Sequence, residues 1–193
     1  MRIAYIAPEL PGLSSTFVYK EIFALEKLGL EVIPFSIHNN LTNPQEAALA
    51  NLKDRTEILY ARKTSRIFKD NFYSLLTSPL RYLSCLFMCI FDALENITNP
   101  RVGVGILFRF FVAGSLAKDL GHAKVQHVHA HFAHFPTDIA MYTSYLIKIP
   151  FSFTAHANDI FANLILSIFI AWVAAPIIFN WYAVVLIPAI IQK

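Results

Sequence analysis

The stretch HVHAHFAHF, His127 to Phe135, places four of the chain's seven histidines within eight positions. Along an extended strand side chains alternate, so His127, His129 and His131 share one face, with roughly 6 to 7 Å between successive rings. Two such imidazoles can serve a tetrahedral zinc ion, which needs a further Cys, His or carboxylate and groups that orient the rings. Asp138, Asp159 and His156 are the completions the sequence offers. The spacing matches no helical HExxH or comparable ligand pattern, so the expectation is a site without metal. His127 and His134 are expected to be hydrogen-bonded structural residues. His131 and His156 sit where a parallel strand hands residues to a ligand crevice, and they are the functional candidates.

The elements that must position them are legible upstream. RIAYIA (Arg2 to Ala7) is an apolar run rich in strand formers. PELPGLSST then reads as a loop, with Ser14, Ser15 or Thr16 available to cap the next segment. From Phe17 to Leu28 apolar residues recur at helical spacing until Gly29, and Leu30 to Ile37 is a second strand. Strand, loop, helix and strand in this order make a βαβ unit with a right-handed crossover. Asn43 to Lys53 reads as helix and Thr56 to Ala61 as a short strand. Ser65 to Leu120 reads as mostly helical, broken at Pro79 and Pro100. KVQHVHAHF returns to strand, Pro136 to Ile147 to helix and Pro150 to His156 to strand. The expectation is an α/β fold, a doubly wound parallel sheet with a helical insertion. Loops Pro8–Thr16, His131–Thr137 and His156–Phe161 should meet at its carboxyl edge.

Composition divides the chain. Mean hydropathy is +0.50, and every charged residue except Lys193 lies before Ala162. The expectation is a globular domain over 1–161 and an apolar tail over 162–193. Leu164 to Ile191 carries no charge and exceeds the ~20 residues that span a bilayer. Trp172, Trp181 and Tyr182 are interfacial anchors placed centrally, and Pro176 and Pro188 interrupt a helix there. A net charge of +3 argues against nucleic acid as a partner. The basic residues of Arg55 to Arg81 sit among aromatics and suit either a solvated helix face or an anionic membrane surface. Cys85 and Cys89, four apart, share a helix face as buried small hydrophobes, in keeping with a reducing compartment. MRIAYIA lacks the long apolar core of a secretory leader, so none is expected.

Two blocks carry a resemblance: MRIAYIAPELPGLSSTFVYKEIFALEKLGLEVIPFSIH and HVHAHFAHFPTDIAMYTSYLIKIPFSFTAHANDIF. They resemble the N-terminal half of retaining family 4 glycosyltransferases of the GT-B fold, of the kind that builds colanic acid and other exopolysaccharides in bacteria. The resemblance covers Met1 to about Phe161. It implies two Rossmann-like domains, with the donor sugar nucleotide held mainly by the second and a glycan or lipid-linked acceptor by the first. It requires no cofactor or metal. By the same resemblance His156 of FTAH faces the donor sugar and aids an oxocarbenium-like transition state. Asp159 then orients it or binds a hydroxyl, His131 lines the acceptor side, and Gly12, Ser14, Ser15 and Thr16 of PGLSST offer amides to a phosphate or sugar. The expected location is the cytoplasmic face of the inner membrane.

The family continues beyond this point for ~150 to 200 residues that hold the nucleotide. Here the apolar tail stands instead, so a truncated fragment, inactive alone, is the expectation. A membrane-anchored Rossmann-like accessory protein without catalysis is the alternative, and a histidine-based metal hydrolase a weaker third.

Overall fold

The computed structural model describes residues 1–12, 16–39 and 45–155, with the backbone of Val185 and Leu186. Strand β1 (Arg2–Ala7) is followed by helix α1 (Thr16–Lys27) and strand β2 (Glu31–Ser36). The reversal between α1 and β2 places Gly29 at φ +83°, a left-handed conformation that glycine adopts without strain. Helix α2 (Ala47–Arg55) leads to β3 (Glu57–Ile58), which gives way to a 3-10 turn at Leu59–Ala61. The expected strand over Thr56 to Ala61 is thus only two residues long, because β3 pairs with β2 only at Phe35 and Ser36.

Three helices come next: α3 (Thr64–Thr77), α4 (Pro79–Glu95) and α5 (Pro100–His122). Pro79 and Pro100 each occupy a helix's first turn, where no amide donor is needed. Strand β4 (His127–His131), helix α6 (Phe135–Ile147) and strand β5 (Phe151–Thr154) complete the expected alternation. A two-residue strand β6 (Val185–Leu186) pairs with β5. Otherwise the apolar stretch 162–193 lies outside the described residues.

The sheet is parallel throughout, in the order β3-β2-β1-β4-β5-β6. This Rossmann-like order places the chain's reversal between β1 and β4, where ligand crevices form. Strand parity assigns the two faces. Ala4 and Ile6 of β1, with Val128 and Ala130 of β4, join the larger core beneath α5 and α6. Tyr5 and Ala7 face the other way, into a smaller core with Val18 and Ile22 of α1 and Leu52 of α2. Cys85 and Cys89 are free and fully buried in the larger core, as their spacing suggested.

Three arginines of the basic stretch are tied to carboxylates. Arg55 pairs with Glu26 at 2.6 Å, and the buried Arg62 reaches Glu57 at 3.1 Å and Asp119 at 2.9 Å. Arg66 reaches the same two carboxylates, at 3.0 and 2.7 Å. Arg55 thus ties α2 to α1, and Arg62 and Arg66 tie the 3-10 turn's end and α3 to β3 and α5; of the three only Arg62 is buried, which corrects the solvated reading for that residue.

Candidate functional site

Because β4 alternates apolar and imidazole residues, its polar side must turn toward α1, and the result is a compact network at the carboxyl edge. The Tyr5 hydroxyl lies 2.6 Å from His131 Nε2, and Glu21 Oε2 lies 3.2 Å from the same nitrogen. His131 is buried, while the Glu21 side chain is 41% accessible. Glu21 therefore connects an enclosed hydrogen-bonded pair to the surface. Burial and the nearby Glu21 charge raise the Tyr5 pKa, so the phenol keeps its proton and can donate it. Burial works to raise the Glu21 pKa as well, but hydrogen bonds from His131 and Tyr5 outweigh it and leave the carboxyl below its ordinary value. Glu21 is a charged acceptor at neutral pH.

Two residues back, His129 Nδ1 and His127 Nε2 both lie 2.8 Å from the Ser152 hydroxyl of β5. One hydroxyl can donate to one ring and accept from the other. Burial, reinforced by His131, pushes the His129 pKa down from 6.5 to about 4. A buried neutral histidine makes stability depend on acid. The unfolded chain takes up a proton below pH 6.5 and the folded chain only near pH 4, so the stability that His129 contributes falls as pH drops through that window, by about 3 kcal/mol in all. We expect His129→Gln to gain thermal midpoint relative to the parent protein as pH drops between those values, because it lacks this one contribution. A difference between the two proteins that does not change with pH would show that His129 carries no such contribution.

Aromatic rings frame the network. The half-exposed Phe17 ring sits 5.6 Å from His131 and 6.2 Å from Phe132, centroid to centroid. Phe132 ends β4 with φ +72°, a strained conformation for a bulky residue, so the expected strand stops at His131. Its carbonyl accepts from Thr137 Oγ1 at 2.8 Å, and its amide donates to Thr154 at 2.9 Å. These bonds hold the turn into α6.

Of the seven candidate catalytic and substrate-binding residues, three are described. His131 is at the centre of the network, Gly12 is buried in the loop after β1, and Thr16 is the exposed first residue of α1. Ser14, Ser15, His156 and Asp159 lie outside the described residues. His127 bonds Ser152, and His134 caps α6 by accepting from the Phe135 amide at 2.9 Å. Asp138 is no partner of the histidine strand; it pairs with Arg109 at 2.7 Å. Glu21 and Tyr5 were missed. Glu21 carries a signal, since it follows Val18 by three and precedes Ile22 by one on the helix's apolar stripe.

Glu21, His129 and His131 also bring three possible ligand atoms within 4.8 Å of one another. Tetrahedral zinc ligands at ~2.0–2.1 Å from the ion stand only ~3.4 Å apart. An ion would have to draw the trio together and displace the short Tyr5–His131 bond. The arrangement suits proton sharing and hydroxyl recognition better than metal binding. Comparisons of the chain with protein-family models, with curated proteins and with solved structures return no match.

Proposed function

We propose that this domain is the acceptor side of a retaining GT-B glycosyltransferase of polysaccharide synthesis, binding a glycan or lipid-linked sugar at its carboxyl edge. The observation that carries the reading is the Tyr5–Glu21–His131 network beside Phe17, at the β1/β4 reversal. A sugar presents hydroxyls and a flat C–H face. A charged carboxylate that reaches the surface accepts the first, and a half-exposed aromatic ring packs against the second. Glu21 orients the acceptor hydroxyl, while Tyr5 and His131 hold its charge and position. The resemblance of the two sequence blocks supports the same reading. It places His156 beside the donor sugar with Asp159 orienting it or binding a hydroxyl, needs no cofactor beyond a sugar nucleotide as substrate, and puts the work at the cytoplasmic face of the inner membrane.

In that fold a second Rossmann-like domain closes on the donor, excluding water and aligning the sugar with the acceptor. The 193-residue chain by itself is therefore expected to bind acceptor without turning over. Calorimetric titration with oligosaccharides and with nucleotide sugars tests this. Glycan binding should weaken about tenfold or more in Glu21→Gln, which keeps the shape and removes the charge. Transfer above background by the chain alone would contradict the division of labour. Tight zinc binding abolished by His129→Ala, with no glycan binding, would replace the proposal with a metal site. A membrane-anchored accessory protein is the alternative if neither sugar class binds.

A further inference from the structure

Helices α3 and α4 form an outer layer over α5 and α6, and the outward side of that layer is apolar. Leu80, Leu83, Phe87, Phe91 and Leu94 fall on one face of α4 at spacings of three and four. All are exposed, Leu80 at 83% and Phe87 at 71%. Phe68, at 73%, and Phe72 of the neighbouring α3 are exposed as well. The opposite face of α4 packs Tyr82, Cys85 and Cys89 into the core. Arg81, Ser84, Asp92 and Glu95 share one flank of the helix, so α4 has two apolar faces, of which only the Tyr82, Cys85 and Cys89 face is covered. The uncovered stripe runs about 21 Å along the helix, too continuous for the scattered apolar residues of an ordinary surface.

The charges say what covers it. At the amino end of α4 a surface pocket of about 430 Å³ is lined by Ser78, Arg81, Ser84, Tyr145 and Lys148. A second hollow, of about 270 Å³, shares Arg81 and adds Lys118 and His122. Neither pocket is lined by a carboxylate, although Asp70 pairs with Lys118 at 2.6 Å. Cations and hydroxyls beside an apolar, phenylalanine-rich stripe match the phosphate and acyl layers of an anionic bilayer. The same chain carries the charge-free run Ala162 to Gln192.

We propose that the α3–α4 face lies on an anionic phospholipid bilayer, with the α4 stripe in the acyl boundary and Arg81 and Lys148 on lipid phosphate. This is independent of the glycosyltransferase reading and of whether the tail inserts.

The test uses the full chain with Ser84→Cys labelled by a polarity-sensitive dye. Ser84 is exposed on α4, while Cys85 and Cys89 are fully buried. Vesicles of phosphatidylcholine with phosphatidylglycerol should blue-shift the dye, and vesicles of phosphatidylcholine alone should do so far less. Adding Leu83→Glu and Phe87→Glu should weaken the shift about a hundredfold in lipid concentration. Arg81→Gln with Lys148→Gln should weaken it about tenfold or more on anionic vesicles only. Trp172 and Trp181 both lie in the tail, so their quenching by brominated lipid reports the tail separately. A dye that stays in water while the tryptophans are quenched would overturn the proposal. So would a dimer that buries the dye without lipid and is dissolved by the two glutamates.

Discussion

Gly114→Val should lower the stability of the domain by about 4 kcal/mol or more, or prevent folding outright. Gly114 lies in α5, where the Asn71 side chain of α3 occupies the space a Cβ would take; that Cβ would also fall 2.8 Å from Asn71 Cγ. Asn71 cannot yield cheaply. Its amide donates to the carbonyls of Ile67 at 2.8 Å and Phe111 at 2.7 Å, and its oxygen accepts from Tyr82 at 3.0 Å. One buried side chain thus joins α3, α4 and α5. Pushing it aside breaks three hydrogen bonds at once, each costing about 1–3 kcal/mol when a buried partner is left bare. Replacing a helical glycine gains only ~1 kcal/mol of propensity, so the clash decides the sign. Gly121 of the same helix is the control. A Cβ there would meet only Ile147, at 4.0 Å, so Gly121→Ala should stabilise by about 0.5–1 kcal/mol. In a domain of this size the valine variant should melt about 10 °C lower or more. Equal effects at the two glycines would show that backbone freedom rather than the Asn71 junction matters.

That junction was invisible in the sequence, and the reason is general. Strand and helix identities arise from local signals: the apolar run of Arg2 to Ala7, the φ reversal at Gly29, the prolines at 79 and 100. Each acts within a few residues, so the element order and the parallel sheet were legible. The parity of β4 was legible too, because alternation needs no partner, and it correctly set His129 and His131 on one face. The partners were not. Tyr5 meets His131 across 126 positions and Asn71 meets Phe111 across 40, and no periodicity encodes such separations. Glu21 reads as one more acid on an amphipathic helix until β4 is laid beneath it. The arginines at 55, 62 and 66 looked like a surface charge cluster because their carboxylates come from α1, β3 and α5. The α4 stripe fails in the opposite way. Its helix was plain, but two apolar faces promise burial on both, and only the packing reveals the one left open.

Arg109→Ala should be far more damaging at neutral pH than in mild acid, and that pH dependence is the informative part. Arg109 and Asp138 form a nearly buried pair, with 8% and 14% of their side chains accessible, joining α5 to the first turn of α6. Burial pushes the Asp138 pKa up to about 6 even though Arg109 works to lower it. The folded chain therefore binds this proton more tightly than the unfolded one, whose value is 3.8. Stability from this group declines as pH rises from 3.8 through 6, and above that the ionised carboxylate relies on Arg109. Without the guanidinium, Asp138 keeps its burial and the repulsion of Asp92 but loses its cation, and its pKa must climb further. At about pH 8 the loss should reach roughly 3–5 kcal/mol, as for other buried pairs deprived of one partner. At about pH 5 both proteins carry a mostly protonated Asp138, and the difference should shrink to the lost packing, including the stacking of Arg109 on Phe135 at 4.7 Å. His129 titrates in the same window, but identically in both proteins, so it cancels from the difference. Urea unfolding of the two proteins at both pH values measures it. Adding Asp138→Asn to Arg109→Ala should recover much of the loss at about pH 8 and little at about pH 5. A cost independent of pH, unrelieved by the asparagine, would mean that Arg109 supports the fold by packing alone.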